Sequence, residues 1–343
     1  MSGSATPGSA AKFDHVHAAH CESGSFAALL RHDGLELSES MVFGIGSGLF
    51  FLYLTFVRIY GLPLISYRDM PNSIIARGAR RLGVRLQRTT YRDPEAGMRA
   101  LDRLLSEGRP VGMQTGVFWL PYFPRDMRFQ FNGHHVIAYD KRDDDYLLSD
   151  TVFDEVVKCP ADDLRRARFS KGPLAPRGLL YYVESRVERP NIERAVRDGL
   201  RSTVFRMLKI PFPLMGVAGI RTLAAAVAAW PERMPAHAAR SHLANVIRMQ
   251  EEIGTGGAGF RFMYAAFLDE AAAVLGKPAL HEASEMLTDI GDRWREFAVQ
   301  GALLIRGGDA ETNSAARYKA LSTVLSECAA REKDVFRAIG GSL

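Results

Sequence analysis

FNGHHVIAYDKRDDDYLLSD, residues 131–150, reads as two short strands joined by an acidic turn. His134 opens the first strand, which runs to Tyr139 through β-branched and aromatic residues, and Tyr146–Ser149 forms the second. The residues between them, DKRDDD, are turn formers. Paired as antiparallel neighbours, the strands bring the imidazole at the start of one beside Asp150 at the end of the other. Successive side chains of a strand alternate faces, so His134 and His135 point to opposite sides and only one of them can serve such a site.

Outward from this hairpin the strand pattern continues. Pro110–Thr115, Glu155–Lys158 and Gly178–Glu184 are short, rich in β-branched or aromatic residues and bounded by turn residues. The segments before them read as helices. Glu22–Arg31 puts Phe26, Leu29 and Leu30 on one side. Ser38 caps a second helix, expected to run buried through LSESMVFGIGSGLFFLY, residues 37–53. A third has Asp93 as N-cap, Pro94 at its first position and Gly108 as stop. Helices first and strands second predict an α+β domain with N-terminal helices and an antiparallel sheet.

From about Val187 the character changes: ERPN reads as a linker, and the rest as helices rich in Ala, Leu and Glu. Phe260, Met263, Tyr264, Phe267, Leu268 and Ala271 recur there at helical spacing, the mark of a core-facing stripe. The predicted organisation is a disordered arm over 1–12, a catalytic domain over 13–186 and an all-helical domain over 187–343.

Composition narrows the function. The 343 residues, 47% hydrophobic, are enough to bury a real core. Met41–Val57 carries no charge, but this run is short for a membrane span and holds Gly44, Gly46 and Gly48; a buried helix is the expectation, not an integral membrane protein. The net charge of +5 is spread along the chain, which argues against nucleic acid and suits an acidic protein partner. The three cysteines, at 21, 159 and 328, are an odd number without framework spacing, which points to a reducing, cytoplasmic setting.

Cys21 begins the first helix, where unpaired N–H groups and the positive end of the dipole favour a thiolate. His134 is then placed to take its proton and Asp150 to orient the imidazole, in the chain order Cys, His, Asp. The same thiol read without these partners would be a small buried hydrophobe. His15, His17, His20 and Cys21 have spacing suggestive of a metal site, but the chain has neither CxxC nor HExxH, and no metal or other cofactor is expected.

HCESGSFAALLRHDGLELSESMVFGIGSGLFF (20–51), FNGHHVIAYD (131–140) and YLLSD (146–150) together resemble the BtrH N-terminal family, the domain of the butirosin biosynthesis acyltransferase, over roughly residues 15–185. The helical remainder, with GTGGAGFRFMYAAFLDEAA, is similar to the uncharacterised domain that often follows it. The resemblance implies a papain-like or C39-like cysteine fold with the nucleophile at Cys21 and its partners at His134 and Asp150. It departs from the family pattern at Thr151, where the family usually has Pro. Papain-like enzymes carry a Gln about six residues before the nucleophile to complete the oxyanion hole; His15 stands there, with His17 nearby, and His135 and Glu39 are candidate supporting residues around the site. The implied activity is transfer of an acyl group from an acyl carrier protein, whose phosphopantetheine arrives with the substrate, to a small-molecule amine or alcohol in specialised metabolism. A thiol hydrolase or a catalytically silent scaffold are the alternatives.

Overall fold

The computed structural model describes residues 13–254, 256–307 and 315–343; the expected N-terminal arm, 1–12, lies outside the described residues. In chain order the first elements are α1 (Cys21–His32), α2 (Glu39–Ile45), β1 (Leu49–Ile59), β2 (Leu62–Arg68), α3 (Ser73–Leu82) and β3 (Val84–Thr89). Next come α4 (Pro94–Ser106), β4 (Val111–Thr115), β5 (His134–Arg142), β6 (Asp145–Ser149), β7 (Val157–Pro160), α5 (Ala161–Arg168) and β8 (Leu180–Arg186). The remainder is helical: α6 (Ile192–Leu208), α7 (Gly216–Arg233), α8 (Ala236–Glu251), α9 (Arg261–Leu275), α10 (Pro278–Arg306) and α11 (Ala315–Ser342).

The chain forms two compact units, one of residues up to Leu37 with Arg85–Arg186, the other of Ser38–Val84 with Val187–Leu343. The first unit is α+β, built on a sheet of order β3-β8-β4-β5-β6-β7. The pairs β8-β4, β4-β5, β5-β6 and β6-β7 are antiparallel. Met98, Leu101 and Leu104 of α4 and Leu164 and Ala167 of α5 pack with Val111, Met113, Val136, Ala138 and Leu148 of the strands into one core. Helix α1 packs against β4, β5 and β8. It is buried from Glu22 to Leu30, so all but its two ends lies under protein although its stripe of large apolar residues is narrow.

In the second unit, α7 packs on α11, α9 on α10 and the β1-β2 hairpin on α7 and α8. The stripe Phe260, Met263, Tyr264, Phe267, Leu268 and Ala271 is buried. At the centre of this unit the Arg261 guanidinium forms a two-pronged ion pair with Glu332 at 2.9 and 3.1 Å, both side chains fully buried, and Trp294 donates to the same carboxylate at 2.7 Å.

Two features differ from the sequence expectation. The helix predicted over 37–53 stops at Ile45 and the chain re-enters as strand β1. Ser47 has φ +52, which ends helical geometry, and a Cβ at Gly48 would lie 2.4 Å from the Phe43 ring, so the chain turns back on its own helix there. The run LFFLYLTFVRI beyond it is aromatic and β-branched, a composition that pleats well. Residues 38–84 also belong to the unit of the C-terminal helices, which is therefore helical around a hairpin and not helical alone; Gly199 of α6 seats so closely that its Cβ would meet the Gly44 carbonyl at 2.6 Å. Among the described residues no helix is long and apolar enough to cross a membrane.

Candidate active site

Cys21 is the first residue of α1 and is partly exposed, whereas Cys159 and Cys328 are buried. Burial, with nearby carboxylates, pushes the thiols of Cys159 and Cys328 up to about 12, so both are held as neutral packing groups. The start of α1 is capped by His20, whose Nδ1 accepts from the Ser23 N–H at 3.4 Å and lies 2.8 Å from Ser23 Oγ. An imidazole cap was not legible in the sequence, where Ser, Thr, Asp and Asn are the usual signals. The cap fixes the first turn and with it the position of the thiol, which lies 3.9 Å from the Gly133 carbonyl at the mouth of β5.

The sheet register supplies the partner. Ile137 pairs with Ser149, so the next residue, Asp150, faces the same side as His134 and lies diagonally across from it. His134 Nε2 is 2.7 Å from Asp150 Oδ2. An ionised carboxylate only accepts, so Nε2 carries the proton and Nδ1 is left for the side of Cys21, whose thiol adds to the influences that raise the imidazole. Both members of the pair are buried. Burial acts to lower the imidazole's pKa, but the charge and hydrogen bond of Asp150, with help from Cys21, outweigh it and raise His134 to about 10. An imidazole that keeps its proton to that pH is a standing cation beside the thiol.

Tyr122, which the sequence reading did not single out, completes the arrangement. Its hydroxyl donates to Asp150 Oδ2 at 2.9 Å, and the Val152 N–H donates to Oδ1 at 3.1 Å. Asp150 is thus held by three donors from three segments and cannot turn away from His134. Burial and the charge of Asp150 hold the Tyr122 phenol protonated well above its usual range, so it remains a donor. Phe123 packs edge-on against the His134 ring at 5.6 Å, and Phe153 closes on Phe123 and Tyr122 at 5.0 and 5.4 Å. These rings keep water from the imidazole–carboxylate bond.

The remaining sequence candidates fall elsewhere. His15 is committed: its Nε2 lies 3.0 Å from the Phe153 carbonyl, which requires it to donate, and its Nδ1 lies 2.7 Å from Ser149 Oγ and accepts from it. This corrects its reading as an oxyanion donor, because no ring N–H is left; the residue instead ties the N-terminal segment to the loop beside Asp150. His17 is exposed. His135 is buried on the other face of β5, its Nδ1 3.0 Å from the Tyr181 hydroxyl, as the period of two requires. Glu39 lies in the second unit, in the first turn of α2 behind the Ser38 cap. Asn132, just before the strand, accepts from Ser170 Oγ and donates to the carbonyls of Lys171 and Pro173, which anchors the loop that delivers His134. Among the described residues no group of three or more His, Cys, Asp or Glu is arranged to hold a metal ion.

Residues 20–151 match the family described as butirosin biosynthesis protein H, N-terminal, and residues 162–339 match a domain of unknown function, DUF4872. No curated protein matches the chain. Among solved structures, a Bacillus anthracis protein assigned as a C39-like peptidase is similar at 13% identity and a TM-score of 0.36, over 51% of this chain and 96% of its own.

Proposed function

The chain belongs to the DUF4872 family and carries, over residues 20–151, the N-terminal domain of butirosin biosynthesis protein H, and on that premise we propose that it is a cysteine acyltransferase. The observation that carries the reading is the linked set Cys21, His134 and Asp150, with the Nε2 to Oδ2 bond at 2.7 Å. The Cys21 sulfur attacks the carbonyl of an acyl thioester on a carrier protein. The Cys21 N–H, at a helix start where N–H groups lack intrahelical partners, faces the developing oxyanion. The tetrahedral adduct collapses by breaking the bond to the carrier's sulfur, and the proton held on His134 passes to that departing thiolate. What remains is an acyl-Cys21 thioester with His134 neutral. An amine or hydroxyl acceptor then attacks, His134 taking its proton and returning it to the Cys21 sulfur as the amide or ester leaves. No cofactor enters this cycle, since the phosphopantetheine belongs to the donor.

Two observations support transfer over a silent scaffold. A scaffold has no need of a buried charged pair beside a partly exposed thiol, and the family matched over residues 20–151 is described as that of a biosynthesis protein, which agrees with this reading. The net charge of +5 suits an acidic carrier protein, and the free thiol suits a reducing, cytoplasmic location. The test is intact-mass analysis after exposure to acyl-pantetheine thioesters. An acyl adduct is expected on the wild-type protein and none on Cys21→Ser, and the adduct offered amine and water together should yield mostly amide. Release by water alone would make the protein a thiol hydrolase; no adduct with any donor would leave a scaffold.

A further inference from the structure

In the second unit, the last turn of α3 and the first turns of α6 line a cleft of about 550 Å3. Its walls carry Arg80, Arg81, Arg194 and Arg201 against one carboxylate, Asp198, a net charge of +3. Positions 194, 198 and 201 share a helical face, so α6 presents these groups together. Arg194 reaches Asp198 only at 3.9 Å, and Arg80 and Arg201 are exposed with no carboxylate paired to them among the described residues. Arg81 is fixed in place, its guanidinium donating to the Ile45 carbonyl and, at 2.6 Å, to Ser47 Oγ. The nearby carboxylate of Asp69 is already committed to Arg77 and Arg206, at 2.6 and 2.9 Å. Burial, then repulsion from Arg77 and Arg80, lowers Arg81 to about 10 against the opposing pull of Asp198, as expected where positive charge outweighs negative. Val187, 48% exposed, and Pro190 add an apolar wall.

We propose that this cleft binds a small molecule bearing a diphosphate, with the phosphates on Arg80, Arg81, Arg194 and Arg201 and the organic part along Val187 and Pro190. A cavity of this size is in the range that holds a small organic ligand. Guanidinium forks match phosphate oxygens two at a time, and a net +3 in so small a space is answered by a compact multiply charged anion, not by a single carboxylate. The same diphosphate is found on nucleoside diphosphates and on coenzyme A. The proposal does not depend on the chemistry at Cys21.

Calorimetric titration of the full chain with pyrophosphate, ADP and coenzyme A, at low and at raised salt, tests the proposal. Saturable one-site binding of all three is expected, weakening with salt. Of the two organic diphosphates, the tighter one names the source of the phosphate: ADP a nucleotide, coenzyme A a pantetheine-bearing ligand. The double variant Arg80→Ala/Arg201→Ala should bind about tenfold more weakly while melting at the wild-type temperature, since both side chains are exposed and unpaired. Asp198→Asn should act in the opposite direction and tighten binding about threefold by removing the opposing charge. Absence of saturable binding for all three probes, or variants that melt normally and bind as the wild type does, would overturn the assignment.

Discussion

Replacing Asp150 by Asn removes the charge that sets the protonation of His134 and keeps the shape that holds it. With the carboxamide oxygen in the place of Oδ2, the His134 Nε2–H and the Tyr122 hydroxyl still have their acceptor; what disappears is the negative charge 2.7 Å from the ring, together with the bond from the Val152 N–H, which would face the amide NH2. In the wild-type protein that charge and its hydrogen bond lift His134 from 6.5 to about 10 against burial, a preference for the imidazolium on the order of 5 kcal/mol. Without it burial prevails, and His134 should titrate at or below the ordinary imidazole value. The sign for stability follows: a folded-state value raised above the unfolded one stabilises the fold fully below about pH 6.5, and this contribution is lost as pH rises through about 10. The wild type should therefore exceed Asp150→Asn by about 3 kcal/mol or more at pH 6 in urea unfolding, with the gap closing toward pH 10. Histidine NMR titration reads the imidazole directly, and iodoacetamide labelling of Cys21 at pH 6 should slow, because the cation beside the thiol is gone. An imidazole in the variant that still titrates near 10, or a stability gap as large at pH 10 as at pH 6, would refute the argument.

Tyr122→Phe removes one of the three donors holding Asp150 and should cost about 1.5–3 kcal/mol in calorimetry, with kcat falling and KM for the acyl donor unchanged. In the second unit, Glu332→Gln leaves Arg261 buried without its counter-charge and should cost about 3–5 kcal/mol in urea unfolding, whereas Arg261→Met/Glu332→Leu should lose less than that single change. Gly199→Ala puts a methyl 2.6 Å from the Gly44 carbonyl, so α6 has to back away from α2, and a loss of about 1–3 kcal/mol is expected by thermal melting.

Much of the first unit was legible before folding because its signals are local. The His134 strand, the turn and the Asp150 strand declare themselves by composition and by a period of two, and α4 by Asp93, Pro94 and Gly108. The 37–53 run was not: its apolar residues suit a buried helix and a buried strand alike, and Ser47 at φ +52 decided between them through a backbone conformation that a serine does not announce. Nor was the membership of residues 38–84 readable, since contacts such as Gly199 against Gly44 join segments far apart in the chain.

The sequence by itself determined which groups are candidates for the proposed chemistry. It placed a thiol at a helix start and an imidazole and a carboxylate at the two ends of a hairpin, because capping, periodicity and turn composition are properties of neighbours along the chain. Tertiary structure alone decided how those groups are tuned. Tyr122 comes onto Asp150 from 28 residues away, and His15 is committed to Ser149 across 134. The burial and charge that raise His134 exist only once the sheet and the aromatic loop have closed around it. A pKa is set by what surrounds a group in space, and no local pattern specifies that.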